Sequence, residues 1–123
     1  LVDSAKKSNV NVIYGDFTQS LPLYEKDYDV VYIRHVLEHL ADYEFALTEA
    51  IRLGKREVLV IFFIPPIDAE EHEINYAFYE NAFIYHNKYS DERLKDFLFK
   101  NDRVDKINTQ IFEKEIVYHI LLK

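Results

Sequence analysis

Residues 27–40, DYDVVYIRHVLEHL, constrain the fold of this chain more than any other stretch. Acidic and polar residues lead into an apolar run, Val30-Val31-Tyr32-Ile33. The run stops at Arg34-His35 and a helix-like phrase follows at once. A buried parallel strand reads this way when it delivers polar residues to its carboxyl end. In open α/β sheets that end is where ligands bind. A second run, Val58 to Ile64, is apolar throughout and suits a central strand covered on both faces.

The remaining elements fall around these two strands. Residues 3–8 read as the end of a helix, and Val10, Val12 and Ile13 predict a short strand closed by Gly15-Asp16. Leu21-Pro22-Leu23 is a loop, because proline suits neither a helix interior nor a central strand. Asp42 can cap a helix over 43–53, where Tyr43, Leu47, Ala50 and Ile51 recur at helical spacing and Gly54 stops it. Pro65-Pro66 ends the second strand, and residues 67–89 read as a long excursion containing a partial helix. Ser90 caps a further helix, with Asp91 and Glu92 in its first turn, Lys100 in its last, and Leu94, Phe97 and Leu98 on its apolar face. Strands over 103–112 and 115–122 close the chain as an antiparallel hairpin through Glu113-Lys114. Alternating strands and helices imply an α/β fold in three layers, Rossmann-like, with a mostly parallel sheet. One domain over residues 1–123 is the economical reading, with no repeat and no linker.

Composition excludes several function classes. The 123 residues are 49% hydrophobic and 15% aromatic, with ten Tyr and nine Phe, enough for one cored domain. A net charge of −7 argues against an extended nucleic-acid surface, which Lys and Arg would have to supply. There is no cysteine, so disulfides, thiolate metal sites and cysteine nucleophiles are ruled out. No apolar run reaches the roughly 18 residues that a membrane span needs, and no signal peptide is visible. The expectation is a soluble cytoplasmic protein, with an oligomer left open. Methionine is absent even at position 1 and the chain opens in mid-pattern, so it reads as a piece of a longer product.

The element order and its local phrases resemble the second half of a class I S-adenosylmethionine-dependent methyltransferase. Val12-Ile13-Tyr14-Gly15-Asp16-Phe17 is similar to that family's strand-then-Gly-Asp motif, followed by the matching Leu21-Pro22. Tyr28-Asp29-Val30-Val31 resembles its fourth strand, residues 46–64 its next helix and strand, and Tyr89-Ser90 the start of its last long helix. The resemblance implies S-adenosylmethionine as cofactor and methyl transfer to an unidentified acceptor. It further implies that Asp16 accepts a hydrogen bond from the adenine amine, that Phe17 lies beside the ring, and that Arg34 and His35 face cofactor or substrate. Two features depart from the pattern. The only glycines are Gly15 and Gly54, so the glycine-rich cofactor loop is missing. Asp3, the one candidate for the ribose-binding acid, stands too close to Asp16 for a helix between them. The first two strands of the family fold are therefore expected to be absent from this stretch.

Each candidate has a plainer reading. Asp16 can be a turn residue after Gly15. His35 suits a general base near neutral pH, or it packs at the strand end. His35, Glu38 and His39 also satisfy H-x-x-E-H, in which two histidines one turn apart could hold zinc and Glu38 polarise water. A third ligand would come from Glu70, Glu71, His72 or Glu73. That motif starts directly after a strand rather than inside a helix, so no bound metal is expected and the zinc hydrolase ranks third. A non-catalytic binding or assembly module on the same fold ranks second. The aromatic stretch 76–89 is either a lid over substrate or a cover for the core.

Overall fold

The computed structural model describes residues 10–123. The expected helix end at 3–8 and Asp3 lie outside these residues. Strand β1 (Tyr28–Arg34) leads through a single 3₁₀ turn (Leu37–His39) to helix α1 (Glu44–Leu53) and strand β2 (Gly54–Phe62). Short strands β3 (Tyr76–Tyr79) and β4 (Ala82–Tyr85) follow, then helix α2 (Asp91–Phe99) and strands β5 (Val104–Phe112) and β6 (Glu115–Leu122).

The main sheet has the order β1-β2-β6-β5. It is mixed. β1 runs parallel to β2, with Val31 opposite Val58 and Ile33 opposite Val60, while β6 is antiparallel to both β2 and β5. A parallel pair needs a crossover connection, and α1 supplies it. Helix and strand meet with no loop between them: a Cβ on Gly54 would stand 3.0 Å from Leu122 Cδ1 and 3.2 Å from Ala50 O.

The core lies on one face of this sheet. Ile33, Val58, Val60, Phe62, Tyr118 and Ile120 pack there against Ala46, Leu47, Ala50 and Ile51 of α1 and Leu94 and Leu98 of α2. The described residues thus supply the sheet and one helix layer. On the other face Tyr32 is 57% exposed and Leu59 and Ile61 are half-buried, so the apolar run of β2 is fully covered on one side only.

Two expectations change. Residues 10–13 form no strand, because no described strand offers their backbone a ladder partner. The 67–89 excursion contains no helix. It folds into the β3–β4 hairpin, turning at Glu80-Asn81 with φ of 49° and 67°. The type I′ two-residue loop has this left-handed backbone at both positions, and Asn tolerates it well. No described helix is long and apolar enough to cross a membrane.

Candidate functional site

β1 brings Arg34 and His35 to its carboxyl end. The ladder continues one residue past the strand, with the His35 amide donating to Ile61 O at 2.9 Å. There the backbone turns sharply, since His35 has φ of 55°, a conformation uncommon for any residue but glycine. The turn directs Leu37 and Glu38 into the interior, at 1% and 0% exposure. Glu38 Oε2 then accepts the amides of Phe63 at 2.9 Å and Ile64 at 3.4 Å, tying the end of β1 to the end of β2. Its Oε1 is buried and has no hydrogen-bond partner among the described residues.

Both site side chains meet Glu115, the first residue of β6. Arg34 Nη2 donates to Glu115 Oε1 at 2.8 Å. His35 Nε2 stands 3.2 Å from the same oxygen, close enough for charge attraction but off the line of a hydrogen bond. The Phe63 ring lies against the imidazole with centroids 5.5 Å apart. The hydrogen bond from Arg34 holds the Glu115 carboxyl below its ordinary range. Beside this group opens a groove of about 660 Å³ lined by Phe63, Phe112, Glu113, Lys114 and Glu115.

Asp16 sits in a separate turn. Its Oδ1 accepts from Thr18 twice, at 2.6 Å from the hydroxyl and 2.9 Å from the amide, and its main-chain oxygen accepts from Gln19. The Thr18 hydroxyl bond, then the amide bond, lowers the Asp16 pKa. The residue is exposed, and Oδ2 has no hydrogen bond among the described residues. Phe17 is half-buried against the core. The following loop is clamped to α1: Leu21 N donates to Glu49 Oε2 at 2.8 Å, and Arg52 donates to Leu21 O and Leu23 O. Arg34 and His35 are therefore brought together, while Asp16 and Phe17 occupy a different loop.

The side chains of the H-x-x-E-H phrase turn to separate partners. His35 lies outside the 3₁₀ turn and its ring goes to Glu115. His39 Nδ1 donates to Tyr85 O at 2.8 Å. The described residues contain no group of three metal-ligating side chains in reach of one ion.

Residues 2–62 match a methyltransferase domain family model. Three solved structures share the fold. One, from Thermotoga maritima, is titled a SAM-dependent methyltransferase, possible histamine N-methyltransferase; it is 20% identical, with a TM-score of 0.65, over 99% of this chain and 69% of its own. A SAM-dependent methyltransferase from Aquifex aeolicus is 15% identical, with a TM-score of 0.62, over 98% and 61%. A protein from Pyrococcus horikoshii is 13% identical, with a TM-score of 0.65, over 98% and 64%. The chain thus matches the methyltransferase domain family over residues 2–62 and shares the fold of these S-adenosylmethionine-dependent methyltransferases. No curated protein matches it. The family match covers Asp16, Phe17, Arg34 and His35 but ends before Glu115. No local pattern marks Glu115 as their partner, since it lies 81 positions from Arg34 and only the β1-β2-β6 order brings it near.

Proposed function

We propose that the protein containing this chain transfers a methyl group from S-adenosylmethionine to an acceptor, with Asp16 and Phe17 holding the adenine and Arg34 and His35 serving the reacting end. The observation that carries this reading is the pairing of the family match with two polar residues delivered to the carboxyl end of β1. When bound, the cofactor supplies an electrophilic methyl on sulfur. The chain's own residues do the rest. The free Oδ2 of Asp16 suits an exocyclic amine, and Phe17 offers an apolar wall. His35 faces Glu115 through Nε2, so a proton placed there leaves Nδ1 as the base. Glu115 Oε1 lies 3.2 Å from the ring that takes the acceptor's proton. Arg34 fixes the Glu115 carboxylate in place. Alignment of acceptor and methyl dominates the rate in such a scheme.

The chain spans 61–69% of the length of the three structures and carries only two glycines. The glycine-rich loop that would cradle the cofactor's methionine end thus has no counterpart in it. We expect this chain alone to bind the cofactor weakly and the longer product tightly, in the cytoplasm. Calorimetry with S-adenosylmethionine on both tests this. Tight binding by the chain alone would sink the view that essential residues lie elsewhere. The paucity of glycine also favours a second reading, a methyltransferase-fold module that assembles or binds without catalysis. In that case the longer product gives no methyl transfer to any acceptor.

A further inference from the structure

The β3–β4 hairpin carries four aromatic rings that the core does not use. Tyr76 pairs with Tyr85 and Phe78 with Phe83. Strand alternation puts all four on one face. They form a continuous ladder, with centroids 4.9 Å apart for Tyr76–Phe83, 5.0 Å for Phe83–Tyr85 and 5.5 Å for Phe78–Phe83. Tyr76 is 63% exposed and Phe78 78% exposed. Ile74, 47% exposed, extends the same stripe by one alternation.

A two-stranded hairpin is marginal on its own, but this one is rooted. Buried Asn87 accepts the Asn75 amide and donates to Leu40 O and Tyr89 Oη, and its own amide donates to Glu38 O. The base is therefore held while the ladder stays open to solvent. A contiguous apolar patch rimmed by polar groups marks an interaction surface.

The shape and charge of the patch choose its occupant. It is a flat ladder, whereas small-molecule sites bury roughly 70–90% of their ligand. A chain segment can lie along it; a metabolite would remain mostly in water. The 67–89 excursion carries Asp68, Glu70, Glu71, Glu73 and Glu80 against one Lys88. Of these acids only Glu71 has a cationic partner, Arg93, among the described residues. A second copy would bring the same carboxylates face to face, and a nucleic acid would be repelled. Lysine and arginine suit both features, laying their stems and charges over ring faces and pairing with carboxylates.

We propose that the Tyr76–Phe78–Phe83–Tyr85 face docks a basic peptide segment of a partner protein, with Glu80 at the hairpin turn pairing one of its charges. The test uses the full chain and a short fluorescein-labelled peptide alternating lysine with glycine, read by anisotropy. Its glutamate–glycine twin, an oligothymidylate and phosphatidylcholine vesicles serve as competing probes. The lysine peptide should bind, and the double variant Tyr76→Ser/Phe78→Ser should weaken it at least about tenfold, as loss of aromatic anchors does. Both positions are exposed, so thermal melting should be unchanged. If it is not, Phe78→Leu, which keeps bulk and removes the ring, takes its place and should also weaken binding. Glu80→Gln should lessen the salt dependence. Failure of the lysine peptide to bind, equal binding of the glutamate twin, or indifference to losing the rings would overturn the proposal. So would preference for oligothymidylate or vesicles, or a dimer in sedimentation that Phe78→Ser breaks.

Discussion

Glu49 and Glu38 are both buried carboxylates that hold a loop in place, and they are satisfied in opposite ways. Glu49, 5% exposed, faces a cation: Arg52 donates to both its oxygens, Nε to Oε1 at 2.6 Å and Nη2 to Oε2 at 2.8 Å. Those bonds lower its pKa, against the opposing pull of burial. Among the described residues Glu38, fully buried, faces no cation and is held by the Phe63 and Ile64 amides alone, with one oxygen unpartnered. One site is a bidentate ion pair that pins the loop after Asp16. The other is a main-chain staple that pins the turn after His35. An acidic residue in a motif-like position is thus no evidence of chemistry until its partners are known.

The largest effect that would break this comparison is at Arg52. Arg52→Ala strips Glu49 of its cation and the loop carbonyls of a donor. Removing Arg52 leaves the Glu49 carboxylate buried without its cation, so this should be the largest loss of the set. Denaturant unfolding measures it, and a loss under about 1 kcal/mol would make the clamp decorative. Glu38 should respond next. Glu38→Ala orphans two amides at the end of β2 and should cost about 1–3 kcal/mol. Glu38→Gln keeps an acceptor for them and should cost less than the alanine variant. Equal losses would mean that the charge, not the acceptor, matters.

A third group sharpens the contrast because it is held uncharged. His72 Nδ1 accepts the Ser90 amide at 2.9 Å, which leaves the proton on Nε2 to be donated to Tyr43 Oη. Burial, then the positive charge of Arg93, lowers its pKa from the ordinary 6.5. Below 6.5 the unfolded chain takes up a proton that the folded chain resists, so stability is full above that pH and declines as pH falls. Glu49 adds a second decline below its ordinary 4.5, where its depressed carboxylate must be protonated. Unfolding free energy followed against pH should show both, and His72→Gln should remove only the upper one. A flat profile between pH 7 and 5 in the parent chain would contradict the neutral His72.

Much of the frame was legible in residues 27–64, because β-branched runs and the helical spacing of Leu47, Ala50 and Ile51 report local geometry directly. The hairpin was not. Its turn is Glu80-Asn81 rather than the familiar Asn-Gly, although the alternation Ile74, Tyr76, Phe78 was a usable sign. Residues 10–13 carried strand-like side chains, but a strand also needs a neighbour, which no local pattern reports. Arg34 and His35 were legible as a strand end; Glu115 was not, because its role follows from β6 lying beside β2. That the H-x-x-E-H phrase starts at a strand end rather than inside a helix was legible; the left-handed backbone of His35 was not.

The central claim is that Asp16 is a cofactor residue and not only a turn residue, and two substitutions in the longer product separate these roles. Asp16→Asn keeps an Oδ1 for Thr18 and converts the free Oδ2 from acceptor to donor. By calorimetry, both Asp16→Asn and Asp16→Ala should raise the S-adenosylmethionine dissociation constant by roughly 2- to 12-fold, the loss expected when an ordinary hydrogen bond is removed. Binding unchanged in Asp16→Asn, with the fold intact, would return Asp16 to its turn and contradict the account.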